Sequence, residues 1–195
     1  MDHRKEAIVN YDNITEVVGL DLSLTGTGVA LGIAAITDLF DGRRRIDAAG
    51  RVGMDRLAHI RDEVLTGCKE TTLAIIEGYA FGKIQGMAAL GELGGVVKLA
   101  LHERGIPFVI VAPASLKKFV AGKGNADKAV MIKEVFKRFG VDTNDHNIAD
   151  AVGLMYIGRA LCGWYEPTTE AQRQVIEEIK TGKRAKKAEL NLAVA

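Results

Sequence analysis

The chain has 195 residues, of which 48% are hydrophobic and 26% charged, and its 26 lysines and arginines nearly balance its 25 acids to leave a net charge of +1. This length and composition are typical of one globular domain with a full core. They exclude a membrane protein, because no apolar run reaches the ~18 residues of a membrane span. Residues 1–6 also lack the apolar core of a secretory signal. Cys68 and Cys162 stand far apart, as expected for reduced thiols of a cytoplasmic protein.

The first third of the chain predicts three strands and a helix. Residues 1–15 are polar and aperiodic, which indicates a flexible leader. Two apolar runs joined by a turn of Ser, Thr and Gly predict a hairpin over about 16–34. A third strand is predicted over about 45–52. Apolar residues at helical spacing then predict a helix over 54–68.

The middle of the chain predicts a buried strand over 71–77 and a helix over 83–103. This helix contains several glycines, and each interior glycine costs ~1 kcal/mol relative to Ala. Something is therefore expected to pack very close to its backbone. Gly91 and Gly95 share one face, which is open to two interpretations, a core contact or a dimer interface; the other two glycines are Gly86 and Gly94.

The last part of the chain predicts one more strand, over 106–112, and then helices. Pro113 is expected in the first turn of a helix that ends near residue 120. Asn125 is predicted to cap a helix ending at residue 139, and Asn144 or Asp145 a helix ending at residue 161. A polar helix over 169–179 precedes a basic tail.

This order of elements predicts an α/β fold with a mixed five-stranded sheet. Three antiparallel strands come first, strand–helix–strand crossovers add parallel strands, and helices cover both faces. The predicted domain spans residues 16–165, and residues 166–195 form a C-terminal helix and basic tail.

Three acids occupy places where an isolated carboxylate is costly. Asp21 and Glu77 end two predicted central strands, and strand ends are where ligands gather in open α/β sheets. Asp150 lies in an apolar helix, where a cation or a proton must compensate it. Three carboxylates brought together would repel one another unless metal is present. Taken alone, Asp21 is equally well explained as a turn cap.

The distribution of charged residues indicates that the protein binds nucleic acid. Between residues 115 and 139 there are seven basic residues against two acids, and a second basic cluster closes the chain. Divalent ions bind oxygen ligands, and two ions ~3.5–4 Å apart can activate water against a phosphodiester and stabilise the leaving oxygen. The combination favours metal-dependent phosphodiester hydrolysis.

Five motifs, in this order along the chain, resemble the RuvC-type Holliday-junction resolvases of the ribonuclease H-like superfamily. They cover about residues 16–162, and the resemblance is greatest to divergent, phage-borne members. The motifs are Gly19-Leu20-Asp21 with Thr25-Gly26-Thr27-Gly28-Val29, Ala74-Ile75-Ile76-Glu77, Ala112-Pro113-Ala114-Ser115-Leu116-Lys117-Lys118, Gly122-Lys123-Gly124-Asn125-Ala126-Asp127-Lys128 and Ile148-Ala149-Asp150-Ala151.

The resemblance implies a ribonuclease H-like fold and a crossover junction endodeoxyribonuclease. Asp21, Glu77 and Asp150 would be the catalytic, metal-binding carboxylates, holding two Mg²⁺ (or Mn²⁺) ions. Lys117 and Lys128 match basic positions near the scissile phosphate, where an ammonium can stabilise a developing phosphorane, although each could also be a solvated helix residue. Hydrolysis would leave 5′-phosphate and 3′-hydroxyl ends.

A two-fold homodimer would match the two symmetric cleavage points of a four-way junction, and the glycine-bearing helix 84–104 is expected at or near its interface. The predicted partner is thus branched DNA, with no membrane.

The sequence departs from the family three residues before Asp150. The family usually has an acid or a histidine there, and this chain has Asn147, whose amide oxygen would be a weaker metal ligand. His146 lies on the same helix face and could substitute, although imidazole suits Mg²⁺ poorly. Asp145 points elsewhere and is expected to be a helix cap, while a role as a metal ligand or as a hydrogen-bond partner of the ligands stays open.

The loop after Glu77 and the basic residues are predicted to contact DNA. Tyr79 and Phe81 could stack on an unpaired base, with core packing as the alternative. The tail should add salt-sensitive affinity. The basic candidates are Lys83, Lys118, Lys123, Lys183, Arg184, Lys186 and Lys187.

Three other hypotheses stay open. An ATPase of the actin or Hsp70 class shares an Asp-Gly-Thr hairpin, but it needs two lobes and the chain is too short. A non-catalytic junction-binding relative is a second. The third is a nuclease acting on flaps, forks or RNA–DNA hybrids, since the same metal site serves all of them.

Overall fold

The fold is built on one mixed sheet of five strands. The structure is a computed structural model and describes residues 10–34, 42–79 and 86–182. Its strands are β1 (Glu16–Asp21), β2 (Gly26–Ile33), β3 (Gly42–Asp47), β4 (Thr72–Glu77) and β5 (Phe108–Val111). They lie in the order β3-β2-β1-β4-β5, with β1, β2 and β3 antiparallel and β4 and β5 parallel to β1. The predicted α/β sheet is confirmed.

Six α-helices cover the sheet. They are α1 (Gly53–Thr66), α2 (Met87–Glu103), α3 (Pro113–Ala121), α4 (Lys128–Phe139), α5 (His146–Leu161) and α6 (Glu170–Lys180). α1 and α2 pack on one face, and the core of the other face is formed with α3, α4, α5 and α6. Both faces are therefore covered, as predicted. No helix in the described part of the chain is both long and apolar enough to cross a membrane.

Side-chain alternation along β1 and β4 decides which way their last residues point. Successive residues of a strand face opposite sides of the sheet. Leu20 and Ile76 pack in the core under α1 and α2, whereas Val17 and Ile75 pack in the core under α5. Asp21 and Glu77 are odd-numbered, like Val17 and Ile75. Both carboxylates therefore point to the face of the sheet that α5 covers.

Helix α5 lies unusually close to the β1–β2 hairpin, and glycines make this possible. A Cβ at Gly19 would overlap the carbonyl oxygen of Ala151, and a Cβ at Gly28 would overlap that of Asn147. The first half of α5, which carries Asp150, therefore rests directly on the backbone of the strands. This close approach of α5 to β1 requires Gly19, two residues before Asp21.

The third strand differs from its prediction. It spans Gly42–Asp47 rather than 45–52. Its partner β2 begins at Gly26, and Gly26 pairs with Asp47, so the ladder has no partner strand beyond that point. A turn follows, closed by the Arg51 N–H to the Ala48 carbonyl.

Two predicted helix starts are also wrong. Asp127, not Asn125, caps α4, because its side chain accepts a hydrogen bond of 2.8 Å from the Val130 N–H. Helix α2 begins at Met87 rather than at residue 83, after Gly86 with φ +84°. That backbone is left-handed, whereas an α-helix needs φ near −60°, so α2 starts after Gly86.

Both ends of the described chain contribute to the core. Tyr11–Asn13 form a 3₁₀ helix, and Ile14 after it is buried. Near the other end, Thr169 and Gln172 form a capping box that starts α6, and Val175 and Ile176 pack in the same core as α3 and α5. Residues on either side of the predicted 16–165 domain thus pack with it.

Candidate active site

Two carboxylates meet because β1 and β4 are parallel neighbours. Leu20 pairs with Ile76 in this ladder. The next residues, Asp21 and Glu77, therefore lie side by side where both strands end, and both point to the α5 face. The sequence places each acid at the end of its own apolar run, and the parallel pairing brings the two together.

Helix α5 brings the third carboxylate. Carboxylate oxygens of Asp21, Glu77 and Asp150 all lie within 4.8 Å of one another. Asp150 occupies the second turn of α5, above the glycines that let the helix approach the hairpin. The three acids singled out from the sequence thus form one cluster.

Burial raises the pKa of all three groups, and repulsion adds to the rise for Asp21 and Asp150. Burial, together with repulsion from Glu77 and Asp150, raises the pKa of Asp21 to about 9. Burial followed by repulsion from Glu77 raises the pKa of Asp150 to about 7, and burial raises that of Glu77. Without a cation, protons must neutralise the cluster.

The cluster has the properties of a divalent metal site. Oδ1 of Asp150 is buried and has no hydrogen-bond partner among the described residues. An unsatisfied buried acceptor is costly, and a cation bound to the three carboxylates would satisfy it. Carboxylate oxygens are the ligands that Mg²⁺ and Mn²⁺ prefer.

Two lysines face the cluster from neighbouring helices. The charge of Lys117, on α3, acts on the carboxylates of Glu77 and Asp150 and opposes the rise of their pKa values. The charge of Lys128, at the start of α4, acts in the same sense on Asp21 and Asp150. The site therefore combines three acids with the positive charges of two nearby lysines.

The start of α5 holds the other three predicted ligands, in different situations. Asp145 is the helix cap, as expected. Its burial alone would raise its pKa, but hydrogen bonds from the backbone N–H groups of Asn147 and Ile148, and Arg45, lower it overall. Asn147 uses its amide Nδ2 to donate to the Gly26 carbonyl at 2.6 Å. His146 does not join the carboxylate cluster within the described ranges.

Tyr79 packs against α2. Its hydroxyl donates to the Gly91 carbonyl at 3.4 Å, and Nζ of Lys98 lies 5.6 Å from the centre of its ring. A Cβ at Gly94 would overlap the Tyr79 hydroxyl, so this glycine has the close contact predicted for the helix. These contacts favour the packing alternative for Tyr79.

The remaining predicted DNA contacts are only partly described. Lys118 forms an ion pair of 3.3 Å with Glu178 of α6, and Lys123 is exposed in the loop after α3. The other candidates lie outside the described residues: Phe81, Lys83, Lys183, Arg184, Lys186 and Lys187.

One residue near the site, Arg45, is not among the site residues predicted from the sequence. Arg45, on β3, forms an ion pair of 3.1 Å with Asp145, and a Cβ at Gly26 would overlap its guanidinium. Arg45 and Asp145 are 100 residues apart, and no local pattern links them.

Metal should stabilise this protein more strongly as the pH rises. The pKa values of Asp21 and Asp150, about 9 and about 7, lie above those of about 4 in an unfolded chain. The metal-free fold therefore loses stability as the pH rises from about 4 through these folded-state values. Metal must displace the retained protons, so its affinity rises over the same interval.

Melting temperatures with and without 10 mM Mg²⁺, taken at about pH 5.5, 7 and 8.5, check this expectation. The gain from Mg²⁺ should increase with pH in the native chain and become nearly flat in Asp150→Asn. A gain that is constant or falls with pH would contradict the assignment of these groups to metal.

The fold and the acidic cluster together define a ribonuclease H-like protein with a candidate divalent metal site. The family model described as Crossover junction endodeoxyribonuclease RuvC matches residues 17–157. The chain belongs to this family, and membership implies dependence on a divalent metal.

Two relatives with this description match more than half of the chain. The RuvC protein of Gloeobacter violaceus is 26% identical over 178 residues, which cover 85% of this chain and 97% of the relative. That of Nocardia farcinica is 30% identical over 127 residues, covering 58% of this chain and 65% of the relative. The structure of Thermus thermophilus RuvC superimposes with a TM-score of 0.58 at 22% identity, covering 78% of this chain and 99% of that one, which supports the fold.

Proposed function

We propose that this protein is a metal-dependent endodeoxyribonuclease that resolves Holliday junctions. The observation that carries the proposal is the convergence of Asp21, Glu77 and Asp150 to within 4.8 Å on one face of the sheet. The family description and the solved complex of Thermus thermophilus RuvC with a Holliday junction substrate support the choice of substrate. Acting on cellular DNA, the enzyme would work in the cytoplasm.

The cofactor in this proposal is Mg²⁺ or Mn²⁺, with two ions held by the three carboxylates. Bound ions of this kind supply an activated water and neutralise charge on the scissile phosphate. Oδ1 of Asp150 has no hydrogen-bond partner among the residues that the structure describes, which supports its role as a ligand. Asp21 and Glu77, at the ends of adjacent strands, offer oxygens from the sheet side.

The protein's own residues would orient the substrate and stabilise its charge. Lys117 and Lys128 face the carboxylates from α3 and α4. From there, both ammonium groups can contact a phosphate bound at the cluster. Charge that develops on the phosphorane would be stabilised by these preorganised donors. Exposed Lys123 and the basic tail would add contacts that do not depend on sequence.

The proposed assembly is a homodimer with α2 at its interface. A Cβ at Gly91 or Gly95 would meet no described atom within 4 Å, so this face of α2 leaves room for another backbone. Leu99, on the same helix, is exposed although it is apolar. A second copy packed there would cover Leu99 and place two active sites in two-fold symmetry, as a four-way junction requires.

A panel of DNA substrates of matched sequence tests the proposal. Four-way, flap, fork and linear DNA are incubated with the protein, with and without Mg²⁺ or Mn²⁺. The four-way junction should be cut by paired, symmetric incisions in the presence of metal, and linear duplex should stay intact. Preferential cutting of flaps or forks would replace the junction with another branched substrate, and no cutting of any substrate would contradict the proposal.

A further inference from the structure

We infer that Asn147 and Arg45 are positioning residues that hold Asp150 in place by fastening the first turn of α5 to Gly26. This inference rests on the proposed function, in which Asp150 is a metal ligand. Both residues hold the helix that carries Asp150 against the hairpin that carries Asp21. Neither residue is assigned a direct contact with metal or with DNA.

Asn147 provides the first fastening. Its Nδ2 donates to the Gly26 carbonyl over 2.6 Å, joining α5 to the first residue of β2. Only a donor can make this contact, so an acid at this position would lose it. A carboxylate there would also face a carbonyl oxygen, and two acceptors repel each other. The amide is therefore matched to Gly26 in a way that an acidic side chain could not be.

Arg45 provides the second fastening, through the helix cap. Nη1 of Arg45 lies 3.1 Å from Oδ2 of Asp145. The other oxygen of Asp145 accepts from the N–H of Asn147 at 2.8 Å and from that of Ile148 at 3.4 Å. A Cβ at Gly26 would overlap the Arg45 guanidinium, so the arginine lies across Gly26 on its way to the cap. Both fastenings thus meet at one glycine.

These contacts act on Asp150 through the backbone of α5, in addition to the packing of the helix on Gly19 and Gly28. Oδ1 of Asp150 has no hydrogen-bond partner in the described part of the chain, so the helix backbone sets its position. Asp150 lies three residues after Asn147, or ~4.5 Å along the helix axis. Gly26 starts the strand whose Gly28 pairs with Asp21. A shift of the first turn of α5 relative to Gly26 would therefore change the spacing between Asp150 and Asp21.

The two substitutions have expected effects on metal affinity that a ligand role would not produce. Asn147→Asp removes the donor, and we expect Mn²⁺ affinity to fall roughly tenfold, within the range for groups that orient metal ligands. If Asn147 were itself a ligand, the added carboxylate would tighten Mn²⁺ binding. Arg45→Met should weaken Mn²⁺ binding severalfold without touching any carboxylate of the cluster, and Arg45→Lys should restore part of the loss.

The matched control is Arg43→Met. Arg43 lies two residues away on the same strand and donates to the carbonyl of Asp142 at 2.8 Å, upstream of the α5 cap. Like Arg45, Arg43 links β3 to the segment that leads into α5. The variant Arg43→Met therefore measures the general effect of removing an arginine from β3. Mn²⁺ affinity should be close to that of the native chain in this variant.

Calorimetric titration of Mn²⁺ into the full-length variants, with circular dichroism to confirm folding, makes the test. Tighter binding by Asn147→Asp, or equal binding by Arg45→Met and Arg43→Met, would overturn the inference. Should Asn147→Asp fail to fold, the comparison of the two arginine variants still decides the role of Arg45. Failure of the proposed function looks different: native protein would bind no Mn²⁺, or Asp150→Asn would bind it unchanged.

Discussion

Asp150→Asn is expected to reduce cleavage of a four-way junction by at least about 10²–10³-fold while leaving junction binding intact. The asparagine keeps the shape of the side chain but removes the charge that would hold metal beside Asp21 and Glu77. Asp21→Asn and Glu77→Gln should have the same effect. Cleavage rates at saturating protein, together with dissociation constants measured without metal, separate catalysis from binding.

The same substitutions are expected to stabilise the metal-free fold. Burial and then repulsion raise the pKa of Asp21 to about 9 and that of Asp150 to about 7. Removing one ionisable group relieves both costs at neutral pH, and each kcal/mol raises the melting temperature by roughly 2–4 °C in a protein of this size.

The control for the carboxylate series is Asp142→Asn, an exposed aspartate just before α5. It should cut and melt like the native chain. Normal cutting by Asp150→Asn would contradict the assignment of the metal site, and unfolding of this variant would contradict the expected stabilisation.

Gly19→Ala is expected to destabilise the fold by about 3 kcal/mol or more. The added Cβ would overlap the carbonyl oxygen of Ala151 and crowd the backbone N of Met155. Both are helix backbone atoms and cannot move aside as the end of a flexible side chain can. Helix α5 would have to move away from β1, which also separates Asp150 from Asp21. Urea unfolding measures the loss of stability.

Gly67→Ala is the matched control for this substitution. Gly67 has a negative φ of −93°, and a Cβ there would meet nothing within 4 Å. Its stability should change by less than about 1 kcal/mol. If Gly19→Ala is as stable as Gly67→Ala, helix α5 does not rest on β1 as closely as described.

Much of the fold and the acidic cluster could be predicted because their signals are local. Apolar runs of strand length predict β1 and β4, and an acid at the end of each identifies Asp21 and Glu77. Asp150 is recognisable because an acid among apolar helix residues needs compensation. The crossover order predicts parallel strands in a mixed sheet, and the structure shows that the two strands ending in these acids are parallel neighbours.

Contacts between distant residues could not be predicted in the same way. The end of β3 depends on where β2 begins, which is a matter of register between strands and not of the residues in β3. Tyr79 is an aromatic residue of the kind that stacks on bases. Only its close contact with Gly94 shows that it packs on α2. The link from Arg45 to Asp145 joins two segments that become neighbours only after folding.

The location of bound Mn²⁺ tests the central claim most directly. Crystals of the native protein grown with Mn²⁺ are measured at the manganese absorption edge, where anomalous scattering identifies the ion. We expect manganese coordinated by carboxylate oxygens of Asp21, Glu77 and Asp150. Manganese bound elsewhere, or no peak between these three side chains at saturating Mn²⁺, would contradict it.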